Sequence, residues 1–247
     1  MITYAIAITN QNATGLLLVL TEYELQALLL SLKIASVAVF FSLPLGIGCA
    51  WVLARRQFWG KSLFDGLIHL PLVLPPVVIG YLLLITMGRQ GAIGKWLYEW
   101  FGFSFSFSWR GAALAVAVVS FPLMVRSIRL ALEGVDKKLE QAARTLGASP
   151  MRVFMTITLP LMIPGILTGT ILAFARALGE FGATITFVSN IPGQTQTIPL
   201  AMYSFIETPG AESEAARLCV VAIIIALLSL FASEWLTRIA RKRLGAA

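Results

Sequence analysis

Apolar residues run almost unbroken through long stretches of this chain, and the polar ones are gathered into short clusters between them. The apolar runs cover about residues 34–54, 63–87, 111–125 (extending into Arg126 and Arg129), 157–178 and 216–235. A helix crosses a hydrocarbon core with roughly 20 such residues. The pattern predicts an all-α polytopic membrane protein with five to six transmembrane helices. The sixth would come from residues 1–21, which are apolar but interrupted by Asn10, Gln11 and Asn12. That stretch reads as an extra span, an interfacial segment or residues ahead of the true start. The helix of the first run can begin as early as Glu24, which puts Lys33 toward one interface, where snorkelling costs little. The second run contains Pro71, Pro75 and Pro76, and "KWLYEWFGFSFSFSW" follows it, with Trp and Tyr suited to a membrane interface. Residues 179–214 mix short apolar pieces (181–188 and 198–206) with Gly, Pro and Glu, the pattern of an outer loop that partly re-enters the membrane.

Composition agrees: of 247 residues 58% are hydrophobic and 13% charged, well short of the roughly 25% charge of a soluble domain. The net charge of +7 raises nucleic acid as a partner, but the placement of the charges excludes it, since Lys and Arg sit in short segments between or after apolar runs. With five spans and an outer N-terminus, one side receives Arg55, Arg56, Lys61, Arg126, Arg129, Lys137, Lys138, Arg144, Arg152, Arg238, Arg241, Lys242 and Arg243. The other receives Arg89, Lys95, Arg110 and Arg217. That asymmetry makes the first side cytoplasmic, and the C-terminus with it. Cys49 and Cys219 lie in apolar runs without CxxC spacing and read as inert buried thiols. The first basic residue is Lys33, so no charged n-region of a signal peptide precedes the first run.

One cytoplasmic stretch, "EQAARTLGASPMRVFMTITLP" (140–160), is too organised for a simple connection. Asp136 can cap a helix over residues 137–146 that Gly147 ends in a left-handed conformation. Ser149 can then cap a second helix with Pro150 in its first position. Leu139, Ala142, Ala143 and Leu146 share one face of the first helix. Two short helices bent at a glycine, small residues at their surface, suit insertion into a groove on a partner; packing on the chain itself is the plainer alternative.

Here the sequence resembles the binding-protein-dependent ABC importer permeases, whose EAA loop reads E-A-A, three residues, G, nine residues, I-x-L-P. Ala142, Ala143, Gly147, Ile157, Leu159 and Pro160 occupy its positions, while the motif's Glu falls on Gln141, with Glu140 one residue earlier. That departure puts a specific salt bridge from position 141 in doubt. "HLPLVLPPVVIGYLLL", "SFPLMVRSIRLALEGVD" and "RALGEFGATITFVSNIPGQTQTIPLAMY" look like the molybdate branch of these permeases, with the sulfate branch as near neighbour. The resemblance covers residues 24–240 and implies a permease fold of the molybdate, sulfate and methionine type. It divides the chain into an N-terminal extension (1–23), a transmembrane domain (24–240) with a coupling loop at 133–160, and a cytoplasmic tail (241–247).

The resemblance further implies a subunit of a bacterial inner-membrane importer for molybdate or its congener tungstate, with sulfate or another oxyanion as the alternative. It would work as a homodimer with cytoplasmic ATPase subunits and an extracytoplasmic molybdate-binding protein. The ATPase partner would hold ATP and Mg; this chain would carry no catalytic residue, bound cofactor or metal. Its coupling helices, carrying Glu140, Gln141, Ala142, Ala143 and Gly147, would dock in a cleft of the ATPase. Physical chemistry alone says less. An oxyanion in a low-dielectric path must keep hydrogen bonds, and helices broken at Pro75–Pro76 and near 179–182 can offer free N–H groups. Ser120, Thr184 and Thr186 are candidate path hydroxyls. Arg176 and Glu180, spaced i,i+4, either pair structurally or form an outer gate. His69 reads as a hydrogen-bonded packing residue and Asp65 as facing the basic loop beside it. A gradient-driven transporter would need intramembrane carboxylates and usually a repeat, and a membrane enzyme a cluster of ligands or nucleophiles; Asp65, Glu180 and a lone His supply little for either.

Overall fold

The computed structural model describes residues 20–243, all helix and connections with no strand among them. The expectations for residues 1–19 and 244–247 lie outside the described residues. Helix α1 (Glu22–Arg55) starts at a capping box, in which Thr21 Oγ1 accepts from Glu24 N–H while the Glu24 carboxylate accepts from Thr21 N–H at 2.7 Å. Helices α2 (Lys61–Val73) and α3 (Pro76–Met87) follow, then a short α4 (Ala92–Phe101) carrying the interfacial aromatics. Helix α5 (Trp109–Glu133) is capped by Ser108. Next come α6 (Lys137–Thr145), α7 (Pro150–Val153), a π-helical turn (Phe154–Thr158) and α8 (Leu159–Leu178). Helices α9 (Gly182–Val188) and α10 (Ile198–Ile206) precede the terminal α11 (Glu212–Arg243).

Among the described residues four helices are long and apolar enough to cross a membrane: Glu22–Arg55, Trp109–Glu133, Pro150–Leu178 and Glu212–Ile239. The expected second span is built of two helices meeting at 114°, apolar enough together to make a fifth, broken span. Pro75 and Pro76 cause the break, since neither has an N–H to continue the ladder and Leu74 is pushed to extended backbone. Hydropathy counts apolar residues and is blind to their direction.

The core centres on α5, flanked by α1 and α8. In one half Ile34, Ala38, Val116 and Val119 pack with Phe187 of α9; in the other Leu53, Met124, Ile128 and Leu132 pack with Met162 and Ala173 of α8. Lipid supplies no hydrophobic drive between helices, so small residues and hydrogen bonds carry the contacts. Gly165 and Gly169, four apart on α8, meet α5 so closely that a Cβ at 165 would stand 2.1 Å from Ala131 Cβ. Gly165→Val should therefore lower stability by about 1–3 kcal/mol through overpacking, measured as thermal unfolding in detergent, whereas Gly48→Ala, whose Cβ meets nothing within 4 Å, should not. Thr168 and Thr237 hydrogen-bond at 2.9 Å to join α8 and α11, and Ser31 Oγ accepts Ile198 N–H at 2.7 Å to join α1 and α10. Outside, Phe40, Phe41, Leu45, Leu228 and Phe231 are all more than half exposed, an apolar belt of the kind a bilayer covers.

Candidate coupling segment and substrate path

The segment between α5 and α8 has the local structure its caps predict. The Asp136 side chain accepts from Lys138 N–H at 2.9 Å to start α6, and Ser149 accepts from Arg152 N–H to start α7, with Pro150 in its first turn. Between them Gly147 sits at φ +84°. Its N–H reaches Arg144 O and that of Ala148 reaches Ala143 O, so the chain reverses on hydrogen bonds that need the left-handed residue. No atom lies within 4 Å of a Cβ built there; the glycine is required by conformation and not by space.

Where the segment joins α8 the helix widens. Leu159 N–H bonds five residues back to Phe154 O just before Pro160, whose ring would press on the carbonyl of Thr156 in a regular helix. A brace lies under this turn. Glu140 Oε1 accepts from Arg55 Nη2 at 2.7 Å and from Thr158 Oγ1 at 2.8 Å, and the Arg55 and Glu140 side chains are each 12% exposed. One carboxylate thus ties α6 to the end of α1 and to the root of α8.

The coupling-loop residues therefore divide. Gln141, Ala142 and Gly147 are exposed, Ala143 is half-buried, and Ile157, Leu159 and Pro160 are half-buried at the root. Glu140 turns inward to the brace. Leu146, not among the expected site residues, projects furthest at 88% exposed, with Leu139 also open; its place beside Gly147 on the apolar face of α6 was the available signal. Arg55 carried none, lying 85 residues from Glu140.

The candidate path residues each have hydrogen-bond partners within the chain. Ser120 and Thr184 are buried inside the chain, their hydroxyls donating to Val116 O and Phe181 O at 2.8 Å each. Helices apolar all round give no sequence cue to which face opens on a path. Thr186 is half-buried and donates to Gly182 O. Arg176 and Glu180 do pair, at 2.8 Å, with Glu180 buried and Arg176 about one-third exposed. The other Glu180 oxygen accepts Ala183 N–H at 2.9 Å, so one N–H of the α9 N-terminus is met from within. Gly80 of α3 lies against α9, where a Cβ would stand 2.6 Å from Ala183 O, and Gly182 lies against Pro76. The break between α2 and α3 thus brings α3 into direct backbone contact with α9. Asp65 faces not the neighbouring loop but Arg129 of α5, at 2.9 Å, and His69 Nδ1 lies 2.9 Å from Asp65 O as a hydrogen-bonded packing residue.

A family model described as "Binding-protein-dependent transport system inner membrane component" matches residues 42–245. The chain is 69% identical over 228 residues to the molybdenum transport system permease protein ModB of Escherichia coli (strain K12), covering 92% of this chain and all of that one. It is 68% identical over 222 residues to ModB of Haemophilus influenzae, covering 90% of this chain and 97% of that one. Among solved structures it resembles a chain of the inward-facing MetNI methionine ABC transporter, with TM-score 0.68 and 17% identity over 90% of this chain and 99% of the other; that likeness speaks to fold.

Proposed function

The chain belongs to the family of inner-membrane components of binding-protein-dependent transport systems, and from that premise we infer that it is the membrane-spanning permease of an ATP-driven importer for molybdate. The observation that carries the reading is its 69% identity along the full length of the Escherichia coli molybdenum permease. The projecting segment supports the same reading, because a permease needs a rigid cytoplasmic element through which a partner can move its spans.

In this reading two copies of the chain form the path, and each presents α6 and α7 to one cytoplasmic ATPase subunit, which binds ATP and Mg. An extracytoplasmic binding protein delivers the oxyanion at the opposite face. The C-terminus is cytoplasmic, in keeping with the basic residues gathered on that side. Closure of the ATPase dimer displaces α6, and the Glu140 brace passes the displacement to α1 and α8 together. The Arg176–Glu180 pair is a candidate outer gate: an arriving dianion competes with Glu180 for the guanidinium, and Glu180 then keeps only the Ala183 N–H, so the displaced state is costly and transient.

The test is reconstitution with the cognate ATPase and binding protein. Uptake of molybdate should require ATP and exceed uptake of sulfate supplied through the same binding protein. Sulfate uptake at equal efficiency would overturn the substrate, and uptake that followed a proton gradient without ATP would overturn the mechanism.

A further inference from the structure

A cavity of about 790 Å³ lies away from the candidate path, in a recess beside the brace. Its floor is apolar, formed by Ile47, Gly48 and Trp51 of α1 with Met151 and Met155 across from them. Its rim is basic: Arg55, Arg56, Lys137 and Arg144 converge on it. Glu140 is the one acidic residue in the lining, and it is already engaged by Arg55 at 2.7 Å. Arg56, Lys137 and Arg144 have no ion-pair partner among the described residues. Arg56 lies 5.1 Å from the Trp51 ring centroid, which holds that cation over the mouth of the recess.

We propose that this recess is a binding site for an anionic phospholipid of the cytoplasmic leaflet, its phosphate among Arg56, Lys137 and Arg144 and one acyl chain along Ile47 and Trp51. The proposal rests on the membrane orientation inferred above. Two features select a lipid over a soluble anion or an acidic protein surface. From Arg55 to Ile47 the recess follows α1 for eight residues, about 12 Å into the span at 1.5 Å per residue. A protein loop or a free anion at that depth would leave polar groups unsatisfied, whereas a hydrocarbon chain loses nothing. And Gly48 opens straight into the recess, with no atom within 4 Å of a Cβ built there, so the helix presents its backbone to whatever lies alongside. Cations at a leaflet surface and an apolar slot beneath them match the two halves of one lipid molecule. Such a lipid would bridge α1, α6 and α7 on the side of the brace away from the core, and so bias the position of the coupling segment.

The test uses the assembled transporter in lipid nanodiscs with brominated phosphatidylglycerol or brominated phosphatidylcholine. Quenching at Trp51 is read as the difference between the parent and Trp51→Phe. Phosphatidylglycerol should quench more strongly, and each of Arg56→Gln, Lys137→Gln and Arg144→Gln should lower that preference about fivefold, as expected for one cation near a charged leaflet. Gly48→Leu, which fills the slot and favours helix, should reduce Trp51 quenching by both lipids while preserving the fold. Equal quenching in the parent, or a preference that survives all three charge removals, would overturn the proposal. Loss of the preference on adding inorganic phosphate would reassign the site to a soluble anion, and its absence in the assembled transporter but presence in the permease alone would reassign the cations to the ATPase. None of these readings depends on which oxyanion is carried, so they fail separately from the molybdate assignment.

Discussion

Gly147→Pro abolishes ATP-driven uptake while leaving the chain folded and inserted. Gly147 sits at φ +84° and its N–H bonds Arg144 O at 2.9 Å. Proline fixes φ near −65° and removes that donor, so the reversal between α6 and α7 cannot form. Gly147→Leu is graded: a left-handed conformation costs an ordinary residue roughly 1–2 kcal/mol, enough to reduce the ratio of bent to unbent forms about 5- to 30-fold. Gly147→Asn, which tolerates this region best after glycine, should retain most activity. Because nothing in this chain lies within 4 Å of the position, a clash inside the permease cannot produce that order. Uptake and binding-protein-stimulated ATP hydrolysis, measured on reconstituted transporter, should fall together in the order Asn, Leu, Pro. Full coupling in the proline variant would show that the bend is not what engages the partner.

The second large effect lies at the opposite end of the molecule and concerns stability. Glu24 and Arg217 pair at 3.0 Å with side chains 0% and 4% exposed. Arg217 also reaches Glu214 at 3.4 Å, and Glu24 closes the cap of α1 on Thr21. Glu24→Leu leaves a guanidinium buried with one weak partner and removes the carboxylate half of the capping box as well, a loss of about 3–5 kcal/mol for breaking a buried pair, visible as a lower thermal midpoint in detergent. The double substitution Glu24→Leu with Arg217→Met should recover most of that loss, because the desolvation of both ions disappears with them. If the double variant is no more stable than the single one, the pair is not what holds α11 against α1.

What the sequence revealed follows the range of each interaction. Asp136, Gly147, Ser149 and Pro150 act on backbone groups within three or four residues of themselves, so the bend between α6 and α7 was legible from their order. The five apolar runs were legible too, because crossing a bilayer is a matter of length and composition. Direction was not: Pro75 and Pro76 announced a break, but its 114° angle depends on α3 finding α9 across Gly80 and Gly182, about a hundred residues apart in the chain. The two ties that organise the ends, Arg55 to Glu140 and Glu24 to Arg217, span 85 and 193 residues and leave no trace in local pattern. Ser120 and Thr184 looked available because hydroxyls are conspicuous in apolar helices; both are occupied by carbonyls of their own turn or the one before it.

The wide turn at Phe154–Thr158 has a consequence for aim. Each residue advances an α-helix by about 100°, so one residue absorbed there rotates everything before it by more than a quarter-turn relative to α8. The stripe that α8 buries through Met162, Gly169 and Ala173 therefore does not run on into α7. Azimuth on the cytoplasmic side is set separately from azimuth in the membrane. Side chains of the span can be retuned for packing without swinging Leu146 away from its bearing, and the bearing can be reset by a single residue of phase without disturbing the span.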